Sequence, residues 1–333
     1  MDEDAILRLL RRQAGVVSRA QVRELGGTDD DIERLVRRRL WATVHRGVYV
    51  DHTGPLTWDQ RAWAAVLYHA PAVLDGRSAM RAHRMRVVPA IAPDSEPIEV
   101  AVAQGRRVAP AAGIRVRRVR DLETVSRTTG RPPRLDLEHA VLRAAAAASR
   151  EDTSVAILAD ACQDGRTTAR RLAAALGRHP RVRNRRLLAE VLDDVSSGAC
   201  SALERRYLVQ VERAHGLPRG SRQERGEGPT YRDVRYVPEK VVVELDGQLA
   251  HGRTVQRWAD LDRDLSAAAS GEVTVRAGWG QVLEPCRLAA AVARLLRSRG
   301  WAGRPRACGP GCPVADSGDP PAPGADGSPS SPS

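Results

Sequence analysis

The chain has 333 residues and carries 53 lysine and arginine residues against 41 aspartate and glutamate residues, a formal net charge of +12. Its 42% hydrophobic and 28% charged content is that of a globular protein, which excludes a wholly disordered, collagen-like or coiled-coil chain. The sequence has no run of about 18 apolar residues, the length that a membrane-spanning helix needs. Its first residues include the acids Asp2, Glu3 and Asp4, whereas a signal peptide begins with basic residues. We therefore expect a cytoplasmic protein with no membrane partner and reduced cysteines.

Nearly all the positive charge belongs to arginine, because Lys240 is the only lysine. Guanidinium groups stay charged at physiological pH and bind phosphate bidentately, so the composition is compatible with a nucleic-acid partner. Arginine enrichment without phenylalanine is also what GC-rich coding produces. Composition alone leaves both explanations open.

Residues 1–55 have the pattern of three short helices followed by a strand pair. Ser18 and Thr28 each begin a capping box, with Gln21 and Asp31 three residues later. The turn at Arg46-Gly47 separates two β-branched runs, as in a hairpin. This order predicts a winged helix-turn-helix domain over residues 1–55.

A winged helix places its last helix in the major groove and its wing over the phosphate backbone. The predicted DNA contacts are therefore the arginines of the third helix and the wing, namely Arg34, Arg37, Arg38, Arg39 and Arg46. A solvated helix face, or a helical unit that packs on a neighbour, is the alternative. Such domains often pair on palindromic sites, which leaves a homodimer open.

The pattern of residues 56–195 predicts an α/β middle region of unknown role. It contains no recognisable set of catalytic or metal-binding residues. The histidines at positions 69, 83, 139 and 179 are isolated in sequence, which is typical of packing or surface residues. Residues 302–333 are rich in glycine, proline, serine and aspartate and predict a disordered tail. Cys308 and Cys312 lie in that tail without a neighbouring histidine or second cysteine pair, so we expect no zinc site there.

The informative stretch is residues 196–301, where two strands flank a turn at Pro238-Glu239. A turn centred between these two residues places Asp233 opposite Glu244, and Asp246 points to the same face as Glu244. Three converging carboxylates suit Mg²⁺ or Mn²⁺, which activates water for phosphodiester cleavage. A one-residue shift of the turn would instead put Asp233 on the other face.

Several motifs of this stretch resemble the Vsr-like domain of unknown function within the PD-(D/E)XK nuclease superfamily. They are RQ (Arg222, Gln223), YRDV (Tyr231–Val234), VVELDG (Val242–Gly247), His251, DLDRDL (Asp260–Leu265) and VR followed by GWGQV (Val275–Val282). The resemblance implies a restriction-endonuclease-like mixed sheet flanked by helices, with Asp233 and Glu244 as metal ligands.

The same resemblance raises three further residues. It implies that Glu204 is an acid carried on a helix. Glu204 also stands three residues after Ser201, so the alternative is that it merely completes a capping box. His251 could orient water or polarise phosphate, or be a surface histidine. The superfamily's lysine two residues after the acid is here Asp246, so Lys240 or an arginine would have to replace it.

The N-terminal domain resembles the winged-helix domain of AbiEi-type antitoxins in the segments SRAQVRELG (Ser18–Gly26), RRRLW (Arg37–Trp41) and HRGVYV (His45–Val50). That resemblance implies DNA binding, for example to the promoter of the protein's own operon.

The sequence thus predicts an α/β multidomain protein: a winged helix-turn-helix domain, an α/β middle region, a Vsr-like nuclease domain and a disordered tail. The leading hypothesis is a DNA-binding, magnesium- or manganese-dependent endonuclease acting in repair or in defence against foreign DNA. The second is an AbiEi-like antitoxin or transcriptional regulator with an inactive nuclease fold and a cognate toxin partner. The third is a nucleic-acid-binding module with neither role.

Overall fold

The structure is a computed structural model that describes residues 2–85, 96–127, 130–197, 201–222, 232–247 and 271–314. The chain divides into two compact units, residues 1–193 and residues 194–333. Within the described ranges it is a mixed α/β protein, and no described helix is long and apolar enough to cross a membrane.

The first unit begins with an α-β-α-α-β-β module. Its elements are α1 (Glu3–Arg12), β1 (Val16–Ser18), α2 (Arg19–Glu24), α3 (Asp29–Arg37), β2 (Ala42–His45) and β3 (Val48–Val50). The strands form an antiparallel sheet in the order β1-β3-β2. Both predicted capping boxes are present, at Ser18 and at Thr28, which explains where α2 and α3 begin. A small core fills the module: Ile6, Leu10, Val17, Val22, Ile32, Trp41 and Tyr49.

The rest of the first unit is built around a mixed five-stranded sheet in the order β6-β5-β4-β8-β7. The strands are β4 (Val73–Leu74), β5 (Ile98–Ala103), β6 (Ile114–Val119), β7 (Ser126–Arg127) and β8 (Arg134–Leu135), with a short 3-10 helix at Leu122–Val125. The helices are α4 (Trp58–Tyr68), α5 (Gly76–Ala82), α6 (Leu137–Ala147), α7 (Glu151–Gln163), α8 (Ala169–Leu176) and α9 (Arg185–Ser197), whose last residues belong to the second unit. The mixed α/β character predicted for the middle region is confirmed.

The second unit carries a mixed four-stranded sheet in the order β12-β11-β10-β9. Its strands are β9 (Ser221–Arg222), β10 (Arg232–Tyr236), β11 (Val241–Asp246) and β12 (Val273–Gly278). Its helices are α10 (Ser201–Arg206), a π-helical stretch at Tyr207–Arg213, α11 (Trp279–Val282) and α12 (Pro285–Ser298). β11 pairs antiparallel with β10 and parallel with β12, and its apolar residues are buried, as expected for a central strand.

The prediction of a disordered tail from residue 302 is wrong for residues 302–314. In that segment Cys312 is 6% exposed and Val314 is 3% exposed. Arg306 fixes the same segment, because its backbone N–H donates to the carbonyl of His215 at 2.8 Å. Composition misses these few anchoring contacts. Residues 315–333 lie outside the described ranges.

Candidate functional site

A group of exposed arginines covers the C-terminal half of α3 and the β2–β3 turn. We call this group the α3 arginine surface; it consists of Arg34, Arg37, Arg38, Arg39 and Arg46. Arg34 forms an ion pair with Asp31 at 2.7 Å. Among the described residues, no carboxylate forms an ion pair with the other four members. Their guanidinium groups are therefore available to an external anion.

Two of the three acidic residues at the start of α3, Asp29 and Asp31, are hydrogen-bonded within the module. Asp31 accepts hydrogen bonds from the backbone N–H of Thr28 at 3.0 Å and from its hydroxyl at 2.9 Å, and these bonds lower the pKa of Asp31. Asp29 accepts from Arg23 at 2.5 Å, which lowers the pKa of Asp29. The helix dipole stabilises negative charge at the N-terminal end of α3, where these carboxylates lie. The α3 arginine surface lies towards the opposite end of the helix.

A second cationic feature, which the sequence analysis did not predict, is a groove of about 920 Å³ beside α1 and α2. Four arginines line it: Arg8, Arg11, Arg12 and Arg131. The basic residues of α1 lie on the face opposite its buried residues Ile6 and Leu10, so the helical period could have indicated them. The contribution of Arg131 depends on the tertiary fold of the first unit.

The predicted hairpin register in the second unit is confirmed. Asp233 on β10 pairs with Glu244 on β11, and Arg232 pairs with Leu245. The register follows from the turn, which ends at Lys240 in the left-handed region with φ of 53°. The side chain of Asp233 and all of His251 lie outside the described residues.

The Glu244 carboxylate is 8% exposed and accepts a hydrogen bond from Arg276 Nε at 2.8 Å. Arg276 stands on β12, directly beside Glu244 in the parallel register. Lys240 stands at the other end of β11, at the turn. Arg276 therefore supplies positive charge beside Glu244, whereas Lys240 stands at the far end of the strand.

Of the predicted magnesium or manganese site, the structure describes the side chains of Glu244 and Asp246 but not that of Asp233. Of the three predicted carboxylate ligands, Glu244 already binds a guanidinium, and Asp246 is half-buried at the end of β11. A hard divalent ion needs several oxygen ligands, and it would have to compete with Arg276 for one of them. Asp233 and Glu244 are paired in the backbone register as expected. The positive charge beside Glu244 comes from Arg276.

Glu204 lies on α10 and is half-buried. The start of that helix is capped by Asp194, whose carboxylate accepts from the backbone N–H groups of Ala202 and Leu203 at 3.2 Å. This carboxylate is 4% exposed, so its two hydrogen bonds offset the cost of burying it.

A different group of metal-ligating side chains does come together in the second unit. We call it the Cys-His cluster; it consists of His215, Cys286, Cys308 and Cys312, whose ligand atoms all lie within 4.8 Å of one another. The expectation that Cys308 and Cys312 lack further ligands is therefore wrong, because the fold brings His215 and Cys286 to them. Sulfur and imidazole are poor ligands for Mg²⁺, so this cluster is distinct from the predicted magnesium site.

The pKa values of two thiols in the cluster move in opposite directions. Burial, followed by hydrogen bonds from its neighbours, raises the pKa of Cys286 to about 12. Burial also acts to raise the pKa of Cys312, but hydrogen bonds with backbone groups at Cys308 and Val314 outweigh it and help bring the pKa down to about 7. Cys312 is thus more easily converted to a thiolate than Cys286.

The first unit contains a histidine pair that the sequence did not reveal. His139 Nδ1 lies 2.7 Å from His179 Nε2, and both rings are buried. Burial lowers the pKa of His139, and burial together with the charge of His139 lowers that of His179 to about 4. Both rings are therefore neutral at neutral pH, and they are packing residues, as the sequence predicted, although not isolated ones.

Comparison with protein-family models and with curated proteins finds no match to this chain. The two resemblances noted in the sequence consequently rest on the residues quoted for them, and function has to be argued from the geometry.

Proposed function

We propose that this protein binds duplex DNA through its N-terminal module, used as a winged helix. The element order α1-β1-α2-α3-β2-β3 with a β1-β3-β2 sheet supports the proposal, because it puts α3 before a two-stranded wing. In this arrangement α3 lies in the major groove and the β2–β3 turn contacts the backbone.

The single observation that carries the proposal is the state of the α3 arginine surface. Arg37, Arg38 and Arg46 are exposed, and in the described part of the chain they form no ion pair. The nearby acids Asp29 and Asp31 are neutralised by Arg23 and Arg34. Phosphate groups can therefore approach without displacing an internal partner, and each neutralised phosphate releases counterions.

For the second unit we propose metal-dependent hydrolysis of DNA phosphodiesters as the first candidate activity. The register that pairs Asp233 with Glu244 favours this activity. Directly opposed residues have Cβ atoms about 5 Å apart, which is close enough for their two carboxylates to share a metal ion. Repair or defence against foreign DNA would use such an activity after the N-terminal module has positioned the duplex.

A regulator or antitoxin with an inactive nuclease fold is the second candidate, and the ion pair between Arg276 and Glu244 favours it. A carboxylate that already binds a guanidinium does not need a metal to offset its charge. In this case the second unit would bind a partner such as a cognate toxin, and the protein would act by occupying a promoter.

The DNA-binding proposal is tested by titrating a labelled 30-base-pair duplex with the full chain at low salt. The variant Arg37→Ala/Arg38→Ala should bind at least about tenfold more weakly, since two phosphate contacts are lost. The matched control is Arg287→Ala, an exposed arginine of the second unit, which should bind like the wild type. Equal binding by all three proteins would overturn the proposal.

Cleavage of supercoiled plasmid separates the two candidate activities. Wild type, Asp233→Ala and Glu244→Ala are compared with Mg²⁺, with Mn²⁺, with neither ion, and with EDTA. Omission of the ions is needed beside EDTA because EDTA also removes tightly bound metals of other sites. Nicking that requires the ions and is lost in both variants supports the endonuclease; inert proteins that still bind the duplex support the regulator.

A further inference from the structure

We propose that the Cys-His cluster is a structural zinc site that fastens the segment 301–314 to the second unit. Three thiols and one imidazole are a common ligand set for four-coordinate structural zinc. The four ligands come from three parts of the unit: His215 follows the π-helical stretch, Cys286 is the second residue of α12, and Cys308 and Cys312 lie in the segment.

The distances within the cluster suit a tetrahedral ion. With Zn–S bonds of about 2.3 Å, neighbouring sulfur ligands of a tetrahedron lie roughly 3.8 Å apart. Cys286 Sγ and Cys308 Sγ are 3.4 Å apart, and no two ligand atoms of the cluster are separated by more than 4.8 Å. A disulfide requires about 2.05 Å, so these cysteines are free thiols at metal-binding spacing.

His215 is held in the form that a metal ligand needs. Its ring is 0% exposed, and Nδ1 donates to the carbonyl of Val211 at 3.0 Å. That hydrogen bond places the proton on Nδ1 and leaves the lone pair on Nε2, as the outer contacts of metal-bound histidines do. Nε2 is buried and has no hydrogen-bond partner among the described residues. A zinc ion among the thiols would satisfy it.

The backbone around the other ligands is arranged to bring the sulfurs together. Cys308 and Cys312 flank Gly309-Pro310-Gly311, in which Gly311 has φ of 74° and the N–H of Cys312 donates to the carbonyl of Gly309. This tight turn directs both thiols to one side. Cys286 stands in the first turn of α12, and its thiol lies within 4.8 Å of the other ligand atoms.

Arg306 prepares the segment for the ion. Its guanidinium donates to the carbonyls of Arg213 at 2.9 Å and Ala214 at 3.3 Å, and its backbone N–H donates to His215. These contacts seat the segment directly beside the histidine ligand. Because all four ligands come from the protein, no coordination position is left for substrate, and the role is structural.

Zinc content of the full chain, purified under reducing conditions without chelator, tests the site. Wild type should hold about one zinc ion per chain by inductively coupled plasma mass spectrometry. Cys308→Ser, which changes an exposed thiol and spares the core, and Cys312→Ser should lose at least about nine-tenths of it. Cys162→Ser is the matched control, since Cys162 lies in the first unit, and it should keep the ion.

Cobalt exchange gives a readout that does not depend on variants folding. Co²⁺ in the wild-type chain should show thiolate charge-transfer bands and the intense d–d bands of a tetrahedral site. Zinc retained in both cluster variants, a wild-type chain with neither zinc nor thiolate-bound Co²⁺, or a Cys286–Cys308 disulfide under reducing conditions would each overturn the proposal.

Trypsin supplies the test of fastening. The peptide bond after Arg306 should resist cleavage in the zinc-loaded chain and become cleavable after chelation, at least about tenfold faster, because the segment is then released. Equal cleavage rates with and without chelator would show that the ion, even if bound, does not hold the segment.

Discussion

Arginine has two different roles in this protein, and one example from each unit shows them. On α3, Arg37 and Arg38 are exposed and unpaired within the described residues, whereas Arg276 on β12 binds the buried carboxylate of Glu244 at 2.8 Å. The first arrangement leaves charge for an external anion, and the second uses charge to stabilise the interior of a sheet. A net charge of +12 therefore does not locate a nucleic-acid surface; the surroundings of each guanidinium do.

The first prediction addresses the difference in how the two units are held together, and it has the largest expected effect. Chelation should lower the Tm of the second unit by on the order of 10 °C, since zinc binding to the native state contributes directly to its stability. The first unit, which lacks the Cys-His cluster, should unfold at an unchanged temperature. Differential scanning calorimetry with and without EDTA measures both transitions. A Tm of the second unit that does not respond to chelation would contradict the account.

The second prediction concerns the internal arginine. Arg276→Ala should reduce the free energy of unfolding by about 2 kcal/mol, because it leaves the Glu244 carboxylate buried without this partner. The effect is limited because the Arg276 side chain is 42% exposed. Urea unfolding measures it, and Arg276→Ala/Glu244→Val serves as the control that removes both charges. The double variant should recover part of the loss; if it is less stable than the single variant, the ion pair is not the cause.

Local signals account for what the sequence predicted correctly. The capping boxes at Ser18 and Thr28 use contacts three residues apart, and the turn at Pro238-Glu239 sets the register of Asp233 and Glu244. Each of these features is decided by a few consecutive residues, so a single sequence contains the information.

The features that the sequence missed depend on distant segments. Cys286 and Cys308 are 22 residues apart, His215 comes before the whole sheet, and the pairing of Arg276 with Glu244 needs the parallel register of β11 and β12. Cys312 looked like part of a polar tail because composition averages over the segment. Neither spacing nor periodicity encodes such long-range contacts, so they could not be predicted without the fold.

The third prediction uses the histidine pair of the first unit. Burial lowers the pKa of His139 and brings that of His179 to about 4, while unfolded histidine titrates near pH 6.5. As the pH falls from about 7 to about 5, the unfolded chain takes up protons that the native pair does not, so the free energy of unfolding should drop by about 1 to 2 kcal/mol. Urea unfolding of wild type and His179→Asn at both pH values measures it. A pH dependence that is the same in both proteins would exclude the pair as its source.

The fourth prediction has the smallest effect and concerns the start of α3. Thr28→Ala should lower the free energy of unfolding by about 1 kcal/mol, because it removes the hydroxyl that accepts a hydrogen bond from the N–H of Asp31. Thr28→Ser keeps that hydroxyl and should be close to wild type. Chemical unfolding followed by circular dichroism compares the three proteins. A serine variant as unstable as the alanine variant would show that the cap is not what stabilises this end of the helix.

The central claim is that exposed, unpaired arginines of α3 bind DNA phosphates, and the salt dependence of duplex binding tests it most directly. The slope of log K against log salt concentration should be shallower by about 2 in Arg37→Ala/Arg38→Ala than in the wild type, since each phosphate contact contributes about 0.9. Arg287→Ala should keep the wild-type slope. If the double variant has the same slope and affinity as the wild type, the α3 arginine surface does not contact DNA and the account is wrong.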